Sequence, residues 1–453
     1  MNDCPLKNPQ NHGLFPPAQD RVTKALYFIS AFALFYFFIF SFRISCEHGD
    51  DGYYVQFTVT KEWLLERYET WSSRLILDAI MVTLTHHHWL FRVLSALSFS
   101  SLPWLLRSIL CNVCGKEKLN SLLPSILIFA VVFLFPVHTM SNSGWIATVT
   151  NYFFPFYLMV AATVLLSKVK TLALKDVSFV VLAILSLIVA GNQELCAALM
   201  LGLSILCLIF NIKRKCALLV LVIAALSLYS TLNCLGNSAR YLFSLQYIEG
   251  YWAWNSPYKL YMGTVATLRR YFFSGNAITV FTVMILVMCV KQNLKLSFIA
   301  GLSMLAFQGV ARMLVGGYKH QEIRYYLDDN FTFTISGAIG TLCLVILVFL
   351  VIRLFLELDI SRRHKWILGT MTGCAFGDRA MMGFSPSLFS SDARTYIFAD
   401  FALLMCSVCI ALLSKKLSRR HFTIILLDFP TSKEVRKVLL NTKNMRSNTA
   451  FAL

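Results

Sequence analysis

The sequence predicts an all-α fold: a polytopic transmembrane helical bundle of about twelve spans, in the range ten to twelve. Three observations predict it. The 453 residues are 57% hydrophobic and only 14% charged, where soluble domains carry about 25% charged residues. Apolar runs near the ~20 residues that cross a hydrocarbon core recur along the whole chain. Basic residues gather in every second loop between those runs, the pattern of cytoplasmic loops.

The apolar runs lie near 25–43, 89–110, 122–138, 151–167, 177–190, 195–211, 216–232, 275–290, 296–315, 331–352, 366–383 and 396–414. Without water, each must satisfy its own backbone hydrogen bonds, and Leu/Ile/Val/Phe runs of this length do so as helices. The runs 177–190 and 366–383 are short or carry polar residues, and either reads as a span or a re-entrant segment. Lys7, Arg21 and Lys24 precede the first run. Lys116/Lys118, Lys168/Lys170/Lys175, Lys213/Arg214/Lys215, Lys291/Lys295 and Arg353/Arg362/Arg363/Lys365 occupy alternate loops, and Lys415/Lys416/Arg419/Arg420 follow the last run. All fall on one side if both termini are cytoplasmic. The organisation expected is a tail over 1–24, a membrane domain over 25–414 and a basic tail over 415–453.

Net charge of +18 would suit nucleic acid, but its placement in loops assigns it to the bilayer instead. The 13 cysteines are scattered in apolar runs, where Cys acts as a small hydrophobe. Cys111 and Cys114 form a CxxC, which reads as structural rather than as a zinc site. The first apolar run is long and lacks a small-residue cleavage site, so no cleavable leader is expected. No internal repeat stands out, unlike many transporters.

This topology puts the segments 44–88, 139–150, 191–194, 233–274, 316–330 and 384–395 on the outer face. They are dense in acids, arginines and aromatics. The first holds Asp50, Asp51, Tyr53 and Tyr54, then Trp71 and Arg74. Adjacent carboxylates raise each other's pKa, which suits one to act as a base; they read equally well as a solvated loop start. Asn142, Trp145 and Asn151 combine hydrogen-bonding groups with a ring for sugar stacking, or form a helix cap with an aromatic belt. Glu194 ends Gly191-Asn192-Gln193-Glu194, a polar break that a plain helical hairpin does not need. The loop 233–274 interleaves aromatics with Arg240, Arg269 and Arg270, suited to a phosphate and sugar rings or to an interfacial helix. Arg379 and Arg394 lie at the outer ends of the last two runs, placed to bind phosphate through the guanidinium fork or to snorkel. His86, His87 and His88 are consecutive, so on a helix they point about 100° apart and do not converge on one metal ion.

Taken in order, Asp50-Asp51-x-Tyr-Tyr, Trp71-Ser-Ser-Arg74, Gly144-Trp145-Ile with Asn151-Tyr152 and Pro155, Asn192-Gln-Glu194 and Ala393-Arg394-Thr-Tyr396 resemble one family. It is the type-specific O-antigen glucosyltransferases of serotype-conversion clusters, polytopic enzymes of the GT-C fold. The resemblance implies a GT-C-like bundle in a bacterial inner membrane with its active site facing the periplasm. It implies an undecaprenyl-phosphate-linked sugar donor, usually carrying glucose, which a donor-synthesising glucosyltransferase makes and a companion flippase turns outward. The acceptor implied is a repeat unit of lipid-linked O-antigen, so the reaction would convert serotype. Asp50 and Asp51 would contain the base, Arg74, Arg269, Arg270, Arg379 and Arg394 would meet the donor phosphate, and Tyr53, Tyr54, Trp71, Asn142, Trp145, Asn151 and Glu194 would line the sugar and acceptor site. Many GT-C enzymes use a divalent metal; no residue cluster here requires one, so no cofactor is expected. An O-antigen polymerase, or a transporter or flippase of lipid-linked sugar, are the competing readings. The early Asp-Asp argues against the first. Charges at span ends rather than mid-membrane argue against the second.

Overall fold

A computed structural model describes residues 17–46, 48–135, 140, 144–169, 174–248, 250–273, 276–291, 293–314, 335–388 and 391–414. Among the described residues the secondary structure is helical, with no strand. Each apolar run noted above coincides with a helix. These are α1 (Pro17–Ser41), α5 (His88–Cys114), α6 (Leu122–Leu134), α8 (Phe154–Lys168), α9 (Leu174–Gly191), α10 (Glu194–Ile209), α11 (Arg214–Leu232), α14 (Ala277–Lys291), α15 (Leu294–Leu314), α16 (Ile335–Leu356), α17 (Arg362–Ala380) and α18 (Ile397–Leu413). Among the described residues, five helical stretches are long and apolar enough to cross a membrane: Arg21–Ser41, His88–Cys114, Trp145–Lys168, Arg214–Leu232 and Arg394–Leu413. A sixth follows if the bent pair Ser256–Phe273 and Ala277–Val290 counts as one. Helices α6 and α10 are shorter, at 13 and 16 residues. Several apolar helices of this kind are consistent with a multi-pass membrane protein.

The stretch Arg394–Leu413 is central, with 83% of its most apolar part buried, and it packs against α5, α6, α14 and α17. Arg214–Leu232 is peripheral at 11%, and it presents Val222, Leu226 and Tyr229 outward. That outward apolar face fits a lipid environment better than water.

The segments between the apolar runs also fold. The segment 44–88 forms three helices, α2 (Asp50–Tyr54), α3 (Lys61–Thr70) and α4 (Leu75–His86). Thr60 caps α3 by accepting from the Trp63 amide. Arg67 braces the three, donating to Tyr54 Oη at 2.7 Å and bonding Asp78 Oδ2 at 3.2 Å, and its guanidinium sits against the rings of Trp63 and Trp71. A buried arginine is held here by one carboxylate, one hydroxyl and several ring faces, which offset its desolvation. The segment before α14 forms α12 (Leu235–Ser244) and α13 (Ser256–Phe273). At the start of α8, a short helix α7 (Trp145–Thr148) runs through a π turn at Val149–Phe153. Pro155 explains the widening: it lacks an N–H, and its ring crowds the carbonyl four residues earlier.

Candidate functional site

Asp50 and Asp51 are consecutive on α2, so their side chains diverge by about 100° and enter different surroundings. Asp51 is fully buried. Its Oδ2 accepts from the Ile146 amide at 3.0 Å and its Oδ1 from the Ala147 amide at 2.8 Å. These amides open α7, where the first N–H groups have no intrahelical acceptor and the helix dipole favours an anion. Burial pushes the Asp51 carboxyl up to about 6, and the amides of Ala147, Ile146 and Trp145 pull it back down. Asp51 therefore fixes the 144–148 turn. Asp50 instead faces the site: its side chain is half exposed, and its Oδ2 lies 3.6 Å from Arg394 Nη1. Partial burial raises its carboxyl above the ordinary value, and Arg394 draws it back down.

Gly144 makes that packing achievable. Its φ is +108°, and a Cβ there would come within 2.5 Å of Asp51 Oδ1. Gly144→Ala adds both strain and a clash with a buried carboxylate. It is expected to cost at least ~2 kcal/mol of stability, measured as a lower thermal midpoint in detergent. Gly115→Ala isolates the clash, because at φ +87° it carries similar backbone strain while its added Cβ meets nothing within 4 Å.

Arg394 continues the site. It lies on the 3-10 turn Asp392–Tyr396, with its guanidinium 5.7 Å from the centre of the Tyr152 ring. Arg74 stands 6.0 Å from the same ring, so Tyr152 sits between two cations. Arg74 Nε donates to Glu194 Oε2 at 2.6 Å, and Arg240 Nη2 to Glu194 Oε1 at 2.9 Å. One carboxylate thus pairs with two arginines, which holds both in place and leaves the group net positive. The break before α10 is fastened to the first segment as well. Asn192 Oδ1 accepts from the Ile76 and Leu77 amides at the start of α4, and its Nδ2 donates to Ser73 O. Gln193 caps α10 by accepting from the Cys196 amide.

On the other side of Arg394 lies a second arginine group. The guanidinium groups of Arg270 and Arg379 each lie 4.2 Å from the centre of the Tyr396 ring, and Tyr396 Oη donates to Ala266 O. Arg270 pairs with Asp400 at 3.4 Å, and Tyr271 Oη donates to the same carboxylate at 2.7 Å. Arg379 is 1% exposed; its Nη2 reaches Leu388 O at 3.4 Å, while Nε and Nη1 have no hydrogen-bond partner. Arg269 is buried one residue away on α13. Gly263 on α13 and Gly383 after α17 bring these segments together; a Cβ at either would clash with backbone of the other segment.

The arrangement therefore runs Asp50, Arg394, Tyr152, Arg74 and Glu194, with Arg270 and Arg379 behind Tyr396. Such a set can take a proton at a half-exposed carboxylate while guanidinium groups hold an anion. The other described sequence candidates make contacts of their own. Tyr54 is engaged by Arg67, Trp71 packs edge-on to Phe243, and Tyr53 is exposed with its edge toward Phe57. Trp145 meets Phe40, and Asn151 Nδ2 donates to Ala147 O. Asn142 lies outside the described residues, as does the charged segment 316–330. His86 Nε2 sits 2.8 Å from Phe57 O, and among the described residues no group of three or more His, Cys, Asp or Glu converges as metal ligands. The placements of Tyr152 between two arginines, and of Arg240 on Glu194, are features that sequence reasoning did not single out. Comparison with family models, curated proteins and solved structures finds no match.

Proposed function

We propose that this chain is a glycosyltransferase of the outer membrane face that uses a polyprenyl-phosphate-linked sugar, with undecaprenyl-phosphate glucose as donor and a lipid-linked O-antigen repeat unit as acceptor. Asp50 carries the reading: a half-exposed carboxylate beside Arg394, with further arginines on two tyrosine rings. In the reaction, Asp50 takes the proton of an acceptor hydroxyl. The oxygen attacks the anomeric carbon, the bond from that carbon to the phosphate oxygen breaks, and the polyprenyl phosphate leaves. The leaving group carries the negative charge that Arg394 and Arg379 offset. The bundle belongs in this reading to a bacterial inner membrane, with both termini cytoplasmic, about twelve spans and a GT-C-like architecture. Helices α6, α9, α10, α14, α15, α16 and α17 complete the count, and the tethered outer segments form the roof of the site.

The test is the mass of the O-antigen repeat unit from cells with and without this chain, with the lipid-sugar supply present. A hexose-sized increase supports transfer, and an unchanged mass with the protein confirmed in the membrane overturns it. Buried acids within the bundle, Asp378 and Asp400, favour a second reading, transport of a lipid-linked sugar. Uptake into vesicles without a new glycosidic bond would select that reading instead.

A further inference from the structure

Asp378 is the one buried acid described above whose chemistry is left open. It lies near the C-terminal end of α17, 6% exposed, and neither carboxylate oxygen has a hydrogen-bond partner. The next residue, Arg379, is buried with Nε and Nη1 unpaired. Consecutive helical residues point about 100° apart, so the two do not satisfy each other. Leaving opposite charges side by side, both buried and both short of partners, is costly. Such a cost is offset when a ligand brings an anion for the arginine and hydrogen-bond donors for the carboxylate.

The neighbourhood says what that ligand offers. Helix α10 packs against α17, with Gly202 against Cys374 four residues before Asp378. Cys196 Sγ lies 3.7 Å from Pro155 O, one turn beyond Tyr152. Gln193, 0% exposed at the head of α10, also keeps an unpaired Nε2. Arg379 reaches the reacting region through the Tyr396 ring, two residues from Arg394 and hence from Asp50. The unpaired set comprises one strong acceptor, one amide donor and one guanidinium. A phosphorylated polyol supplies the complement: phosphate oxygens for the guanidinium, hydroxyl protons for the carboxylate and hydroxyl oxygens for the amide.

We infer that Asp378 and Gln193 form the subsite for the sugar of the donor, with Asp378 accepting from its hydroxyls while Arg379 holds the adjoining phosphate. This rests on the glycosyltransfer reading and names within it residues that set sugar preference. Asp378 is a specificity residue here, because it touches the ring and moves no proton in the transfer.

The test is lipid binding by the full-length protein in nanodiscs, read by native mass spectrometry with two probes: undecaprenyl phosphate and undecaprenyl-phosphate glucose. Wild type should hold the sugar-linked lipid more tightly than the bare one. Asp378→Asn keeps the shape but loses the charged acceptor, and it should weaken the sugar-linked lipid by roughly 10–100-fold. Its hold on the bare lipid should stay unchanged, which also shows that the variant is folded. Arg379→Gln should weaken both lipids together. If Asp378→Asn matches wild type on both probes, or loses both equally, the sugar subsite is overturned while glycosyltransfer stands. A wild type that binds neither lipid, with no hexose gained by the O-antigen, overturns the donor reading itself.

Discussion

Asp50→Asn is expected to reduce sugar transfer by about 10²–10⁴-fold, the usual contribution of a general base, with unchanged abundance in the membrane. The side chain is half exposed and has Arg394 as its charged partner, so its amide isostere leaves little buried charge behind. Asp51→Asn should differ in kind. An amide in that position keeps one acceptor oxygen where the turn presents two amide donors, and it adds an N–H facing them. The expected result is a lower folded yield as well as lower activity, measured by detergent-extracted monodisperse protein alongside transfer. Equal yields for the two variants would overturn the division of labour. The pH dependence separates them further. Asp51 titrates near 6 against an ordinary value of 3.8. A raised carboxyl pKa means that the folded state holds its proton more tightly, so this group's contribution to stability declines as pH rises from 3.8 to about 6 and is level above. Activity should move the opposite way, falling as pH drops through about 6, because protonation of either carboxylate removes an acceptor the site uses. Transfer that fades on acidification, with no matching drop in the thermal midpoint, is the expected signature.

Helix positions were legible because hydrocarbon imposes length and apolarity on each run. The run at 396–414 meets α18 at Ile397–Leu413, and 216–232 meets Arg214–Leu232. How many of these helices cross the bilayer was less legible, since α6 and α10 fall short of a full span by length alone. The segments 44–88 and 233–274 read as loops but hold α2 to α4 and α12 to α13. Their helices are held by pairs such as Arg67 with Asp78 and by caps such as Thr60, so no strong apolar period announces them. In the site, polar groups at run ends drew attention to Asp50, Arg74, Glu194, Arg379 and Arg394, because charge near hydrocarbon is expensive. The difference between Asp50 and Asp51 was not legible. It is decided by amides 95 and 96 residues away, and nothing in the local sequence marks an acceptor for them. Tyr152 escaped for the same reason: a tyrosine in an aromatic run is ordinary until two arginines from distant segments bracket its ring.

Arg270→Leu should be the most destabilising single change in the arginine group. Asp400 is 0% exposed and is held by Arg270 and by the Tyr271 hydroxyl. Removing the guanidinium leaves a buried carboxylate without its cation, which costs about 3–5 kcal/mol. Thermal unfolding in detergent should show this as a large drop in midpoint or as failure to accumulate. The double variant Arg270→Leu with Asp400→Leu removes both charges and should recover most of the stability, since apolar replacement of a buried pair is close to neutral. Were the double variant as unstable as the single one, packing around Tyr271 rather than charge would be the cause. Activity need not recover with stability. Arg270 and Arg379 share the Tyr396 ring at equal distances, so losing one cation alters the ring that orients the other. A double variant that folds but transfers poorly would assign the Arg270–Asp400 pair to holding the phosphate-facing arginines, and one that transfers normally would confine it to stability.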